Sequence, residues 1–202
     1  EAVRVCPFNP APEKAVEDED ALARIFLPEA DRSDPRLGRF LGAYVGYSTA
    51  FRPTSSSGGL ATYVFDQLLR RGHVDHLFVV GKTSDGRYAY RMFGKDEDIE
   101  ATSKTRYFPV SLDQLFSAID AVKGPVAVSG VACFVKAIRL KQHYHPQLKD
   151  KIPFVSGIIC GGLKSRFYTD FLAQSAGIDG PYQDVEYRVK SPQSLSSDYS
   201  FS

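Results

Sequence analysis

Apolar residues recur along the chain in two alternating rhythms, helical spacing and short continuous β-rich runs, divided by glycine and serine turns; this alternation predicts stacked βα layers. Residues 60–71 place Val64, Phe65, Leu68 and Leu69 on one helical face, Gly72 stops the segment, and residues 75–81 (DHLFVVG) read as a buried strand. Residues 87–93 (RYAYRMF) alternate like a half-solvated strand. The turn signal Ser84-Asp85-Gly86 before them predicts antiparallel pairing with the preceding strand. Further on, the pattern predicts a helix over 111–122 capped by Ser111, a strand over 125–129 and a helix over 132–143. A strand over 152–160, a helix over 167–176 and a last strand over 184–189 follow. The expected fold class is α/β, with a mixed, partly antiparallel sheet flanked by helices.

Upstream of this rhythm, residues 13–27 set Val16, Ala21, Leu22, Ile25 and Phe26 at broadly helical spacing, and Pro28 ends the segment. The polar, proline-containing residues 31–38 read as a loop, and residues 40–49, rich in Tyr, Val and Leu, read as a strand. Three regions are therefore expected: an N-terminal helical extension over 1–39, an α/β domain over 40–190 and a polar tail over 191–202. A start at Glu1 and a serine-rich end lead us to expect a piece of a longer protein.

Composition narrows the function classes. With 25 basic and 24 acidic residues the formal charge is +1, so no global field argues for duplex DNA or an anionic membrane, and any basic site is local. No apolar run approaches the roughly 18 residues of a membrane span, and no signal-peptide pattern opens the chain, so a cytoplasmic location is expected. Three cysteines, Cys6, Cys133 and Cys160, make an odd count that argues against a disulfide framework and for free thiols or cluster ligands.

In open α/β sheets ligands gather where strands turn into helices, because glycine permits close backbone approach and the first helical amides carry partial positive charge. Three turns qualify: Thr54 through Ser57 with Gly58-Gly59, then Ser129-Gly130-Val131-Ala132-Cys133, then Cys160-Gly161-Gly162-Leu163-Lys164-Ser165. The serine run before Gly58-Gly59 reads equally as a tight capping turn or as a cradle for an anionic cofactor, and three such turns together favour the cradle. No Gly-x-Gly-x-x-Gly fingerprint is present, and Gly81-Lys82-Thr83 lacks a P-loop's upstream glycine, since His76 stands there. Ser103-Lys104-Thr105-Arg106-Tyr107 sets two cations among hydroxyls in a predicted loop, which suits a phosphate as well as a plain polar loop. Cys133 opens a predicted helix and Cys160 closes a predicted strand; each reads as a buried structural thiol or as a ligand at one end of the sheet. Val5-Cys6-Pro7-Phe8 has the form of the last cysteine of a bacterial ferredoxin module. The four histidines, His73, His76, His143 and His145, receive no role, and Lys136, Arg139 and Lys141 read as a solvated helix face.

Taken in order, Ser56-Ser57-Gly58-Gly59, Gly72-His73-Val74-Asp75, the run from Ser103 to Val110, Gly130-Val131-Ala132-Cys133-Phe134 and Cys160-Gly161-Gly162-Leu163-Lys164-Ser165 resemble the beta subunit family of coenzyme F420 hydrogenases and dehydrogenases. The resemblance spans roughly residues 40–190. It implies a flavoprotein that binds FAD and passes electrons between an iron-sulfur cluster and a deazaflavin, F420, or another acceptor, beside a redox partner subunit. Carried over by position, Ser56, Ser57, Gly58, Gly59, Ser103, Lys104, Arg106, Tyr107 and Gly130 would bind the cofactor, and Cys133 and Cys160 would help hold a [4Fe-4S] cluster. Such a cluster takes four thiolates, so the ligand set is incomplete in this chain. Two other readings stand beside this one: a flavin-free scaffold or assembly module of the same fold, and an oxidoreductase of polysaccharide biosynthesis.

Overall fold

A computed structural model describes residues 2–182, 185–191, 193 and 200–202. Its centre is a four-stranded sheet of β3 (His76–Lys82), β4 (Tyr88–Phe93), β5 (Val126–Val131) and β6 (Phe154–Ile158), in the order β4-β3-β5-β6. β3, β5 and β6 run parallel, and β4 pairs antiparallel with β3 from Leu77↔Phe93 to Lys82↔Tyr88. The mixed α/β class expected from the alternation is what the chain adopts. The hairpin closes as its turn residues predict, with the Thr83 amide donating to the Arg87 carbonyl and Gly86 at φ 78°.

Both faces of the sheet are covered, because successive residues of each strand point to opposite sides. On one face α3 (Leu60–Arg70) lays Phe65 and Leu69 over Leu77, Val79, Phe93 and Ala127. On the other, α4 (Leu115–Asp120) and α5 (Ala132–Tyr144) lay Leu115, Ile119 and Ile138 over Phe78, Val126 and Val128. Leu77, Leu115, Ile119, Val126 and Val128 are wholly buried, and each such side chain contributes about 1.5–3 kcal/mol relative to exposure. The wholly buried Gln142 ties this layer together: its amide nitrogen donates to the carbonyls of Leu148 (3.2 Å) and Ile152 (2.9 Å). That links α5 to α6 (Leu148–Lys151) and to the entry of β6.

The N-terminal region departs from its predicted pattern. α1 (Ala2–Val5) is followed by a single 3-10 turn at Lys14–Val16, and the helix expected over 13–27 shrinks to α2 (Glu19–Phe26) because the Asp18 carboxylate caps it, accepting from the Ala21 amide at 2.7 Å. The loop expected over 31–38 is instead a small antiparallel hairpin, β1 (Arg32–Asp34) with β2 (Gly38–Phe40), turned by Asp34, which accepts from the amides of Arg36 and Leu37. The strand expected over 40–49 stops at Phe40; Tyr44 and Val45 are fully solvated, so β-prone residues without a partner strand stay unpaired. Lys136 and Arg139 are not a solvated face. Lys136 donates to Glu19 at 2.8 Å and Arg139 lies over the Phe26 ring, so α5 carries the extension on that side.

Two smaller differences complete the comparison. The Ser111 hydroxyl accepts from the Asp113 amide in a local turn, and the helix it was expected to cap begins only at Leu115. Of the strand expected over 184–189, Asp184 lies outside the described residues. β7 (Tyr187–Val189) pairs antiparallel with β8 (Ser200–Phe201), which sets Phe201 against the Tyr187 ring, while residues 192 and 194–199 of the expected polar tail lie outside the described residues.

Candidate functional site

The serine turn and the 103–107 loop, 47 residues apart at Ser56 and Ser103, meet in the fold. The Ser56 hydroxyl accepts from the Thr105 amide (2.9 Å) and donates to the Tyr187 carbonyl (3.3 Å), while Ser103 lies 3.0 Å from the Thr62 hydroxyl and 3.5 Å from that of Ser55. Ser55, Ser56, Thr62 and Ser103 are all buried. These hydroxyls are therefore spent inside the protein, joining three segments, and what the junction presents outward is cationic.

Lys104 donates to Glu186 at 3.0 Å, and the Arg106 guanidinium lies 5.0 Å from the centre of the Tyr88 ring. Lys190 reaches across to the carbonyls of Arg52 and Ser57, the latter at 2.9 Å. Its pKa is lowered, first by desolvation and then by the charges of Arg52, Lys104 and Arg188, which places four cations within electrostatic reach of one another. Arg106 is lowered too, by burial, against the opposing pull of Tyr88 and Glu186. Glu186 pairs with Lys104 and faces the charge of Arg106. The Nε atom of Arg106 is buried without a hydrogen-bond partner, an expense a protein normally avoids. Lys104 (φ 74°) and Arg188 (φ 58°) are the non-glycine residues at positive φ among those described, a conformation costing about 1–2 kcal/mol per residue. Strained backbone, clustered cations and an unused buried donor coincide at one place.

This place adjoins the carboxyl end of β3, since Tyr88 pairs with Lys82 and donates its hydroxyl to the Val185 carbonyl at 3.4 Å. Tyr107 fills the floor, edge-on to Tyr187 at 5.3 Å and to Tyr168 at 6.2 Å. Tyr187 in turn bonds through its hydroxyl to Thr169 of α7 (Phe167–Ser175). Gly58 and Gly59 face inward. A Cβ on Gly59 (φ 73°) would stand 2.7 Å from the Phe51 carbonyl carbon, and one on Gly58 would stand 3.2 Å from the Gly46 carbonyl oxygen. Both glycines serve the close packing of residues 46–52 on the turn.

Gly130 belongs to the neighbouring stretch of sheet. A Cβ there would meet Phe134 at 3.0 Å and lie 3.8 Å from the Tyr90 hydroxyl, which donates to the Ser129 carbonyl at 2.9 Å. Burial, with the adjacent Cys133, raises the Tyr90 pKa to about 12. Cys133 and Cys160 each follow by two residues a matched pair of neighbouring parallel strands, Val131↔Ile158, so both leave the sheet at its carboxyl end. Cys133 is half-buried and Cys160 is exposed. Cys6 follows Val5, which packs with Leu140 and Tyr144 at the far end of α5. Among the described residues no group of three or more His, Cys, Asp or Glu is placed to hold a metal ion. A four-thiolate cluster does not fit these residues by themselves.

Sequence reasoning missed Arg52, Glu186, Arg188 and Lys190. The available signals were a cation two residues before the serine turn and the alternating charges of Tyr187-Arg188-Val189-Lys190, but their convergence is long-range.

Fold and site define an α/β protein with a cation-lined loop junction at the carboxyl end of its sheet. The chain belongs to the coenzyme F420 hydrogenase/dehydrogenase beta subunit family: the model of that family's N-terminal part matches residues 43–117, and that of its C-terminal part matches residues 124–197. Among solved structures it is similar to a chain of the F420-reducing [NiFe] hydrogenase complex from Methanosarcina barkeri, at 26% identity and a TM-score of 0.57, over 70% of this chain and 51% of that one. The chain thus spans about half the length of that relative. No curated protein matches it. Among the described residues no helix is long and apolar enough to cross a membrane.

Proposed function

We propose that this chain is a flavin-binding electron-transfer part of an oxidoreductase, which holds FAD at the junction of the serine turn and the 103–107 loop and exchanges electrons with F420 or another acceptor beside a redox partner subunit. The observation that carries this reading is the buried, unpartnered Nε of Arg106, two residues from Lys104, in the loop that the Ser56 hydroxyl ties to the serine turn. A pyrophosphate supplies an acceptor oxygen of the kind this Nε lacks, and charge-assisted bonds to it are about twice as strong as neutral ones. Lys104, Arg106 and the exposed Ser57 would hold that group, with the inward-packed Gly58 and Gly59 fixing the turn's path. Tyr107 and Tyr88 would wall the site and exclude water.

Bound FAD would supply the chemistry, accepting two electrons with a proton as hydride and releasing them singly. The chain's own part is placement and electrostatics: the cations favour an anionic group at the junction, and no side chain need move a proton. Cys133 and Cys160 are this chain's share of an iron-sulfur ligand set whose remaining thiolates come from elsewhere. That this end of the sheet carries two thiols rather than four favours one second reading, a scaffold or assembly module of the same fold.

The test is an absorption spectrum of the protein purified without air, with FAD and iron quantified after denaturation and FAD titrated into Arg106→Gln and Lys104→Gln. Each substitution should weaken FAD binding by about 10-fold, the equivalent of about 1.4 kcal/mol, with the circular dichroism unchanged. A colourless protein that takes up neither flavin nor iron on reconstitution overturns the electron-transfer reading and favours the scaffold.

A further inference from the structure

Lys104 and Glu186 meet across the junction, and each is fixed there by its own surroundings. Lys104 stands in the left-handed region (φ 74°) with both neighbours pinned: the buried Ser103 hydroxyl lies 3.0 Å from that of Thr62, and the Thr105 amide donates to the Ser56 hydroxyl at 2.9 Å. Such a backbone persists only where its surroundings over-determine it. Glu186 is held through its main chain, which exchanges two bonds with the residue that follows β8. Its amide donates to the Ser202 carbonyl (2.7 Å), and its carbonyl accepts from the Ser202 amide (3.1 Å).

The bond between their side chains, 3.0 Å from Nζ to Oε2, is therefore a strut for neither. The side chains are 25% and 46% exposed, so water screens the pair, and an ion pair of this exposure contributes less than a left-handed lysine costs. The effect of the carboxylate is electrostatic: it neutralises Lys104 and faces the charge of Arg106. A carboxylate oxygen is an acceptor of the same kind as a phosphate oxygen, and this one stands on the ammonium that a phosphate at the junction would use.

We propose that Glu186 is a displaceable competitor for Lys104: a phosphate-bearing anion takes over the ammonium, and the carboxylate turns out to solvent while its backbone stays in place. The proposal rests on the anion-binding reading of the junction and adds to it the residue that opposes binding. The exchange also sets what the site accepts, because an anion must hold Lys104 better than the carboxylate already beside it. A pyrophosphate, with several charged oxygens to set against Lys104 and Arg106 together, displaces Glu186, and a simple carboxylic acid does not.

Calorimetric titration of inorganic pyrophosphate into the whole chain tests this without flavin. Glu186→Gln keeps the size of the side chain and should tighten pyrophosphate binding by about 3-fold or more, with thermal unfolding close to that of the wild type. Lys104→Gln should weaken binding, and by a larger factor in the Glu186→Gln background than in the wild type, because there the ammonium has no carboxylate to give up. Acetate at the same concentration should leave pyrophosphate binding to the wild type unchanged. Pyrophosphate binding that Glu186→Gln leaves unchanged or weakens overturns the proposal and leaves the anion site standing, since a carboxylate that orients Lys104 acts with that sign. A Lys104→Gln factor no larger without Glu186 overturns it too, and acetate that displaces pyrophosphate overturns the selectivity. Pyrophosphate bound by neither the wild type nor Glu186→Gln overturns the anion site itself, and the competitor with it.

Discussion

At the scale of single residues, the glycine pair shows how a motif read as a ligand cradle can be held by the chain itself. Gly59 adopts φ 73°, and the space a Cβ would occupy already holds the backbone of Phe51 and Arg52. Gly59→Val therefore strains the backbone and drives Cγ atoms into peptide groups that cannot yield. It should lower stability by about 2 kcal/mol or more, read as a drop in urea midpoint with or without FAD. Loss of flavin binding with stability intact would instead show open space beside the turn. The serines teach the same lesson: Ser56 was legible as a hydroxyl at a turn, yet its partners, the Thr105 amide and the Tyr187 carbonyl, lie far along the chain, and no local pattern encodes them.

At the scale of elements, what the sequence made legible were segments whose stability is local. The apolar stripe of α3, the run of β3 and the turn at Gly86 each carry their own periodicity or turn chemistry, and they form where expected. The misses fall where an element's fate depends on a partner. Residues 41–49 have β-prone side chains and no strand to pair with, and Lys136 and Arg139 look solvated until α2 packs over them. Gln142 is the sharpest case: a polar residue mid-helix, wholly buried, whose amide satisfies two carbonyls of the next two elements and accepts from Arg139 at 2.7 Å. Gln142→Leu keeps the volume and removes those bonds, and it leaves the Ile152 carbonyl buried without this donor. Chemical denaturation should show a loss of about 2 kcal/mol, whereas the same change on an exposed face would be near neutral.

At the scale of the whole molecule, the chain separates its two ends. The cation junction, Cys133 and Cys160 lie at the carboxyl side of the sheet, while the N-terminal extension packs along α5 from Lys136 to Tyr144, with Val5, next to Cys6, in the cluster around Leu140. Helix α5 runs between them. Cys133 lies in its first turn and Tyr144 is its final residue, about 16 Å away at 1.5 Å per residue. Cysteine count alone groups all three thiols, but the topology separates Cys6 from the other two. This makes the ligand assignment testable without knowing the donor or the acceptor. After iron and sulfide reconstitution of the protein, Cys133→Ser and Cys160→Ser should each lower bound iron, and Cys6→Ser should leave it at the wild-type level, because a thiol a helix length away cannot share a cluster whose ligands surround a few ångströms. Equal losses from all three substitutions would mean that the extension folds back onto the carboxyl end, and would refute the separation that the packing of Val5 on Leu140 and Tyr144 describes.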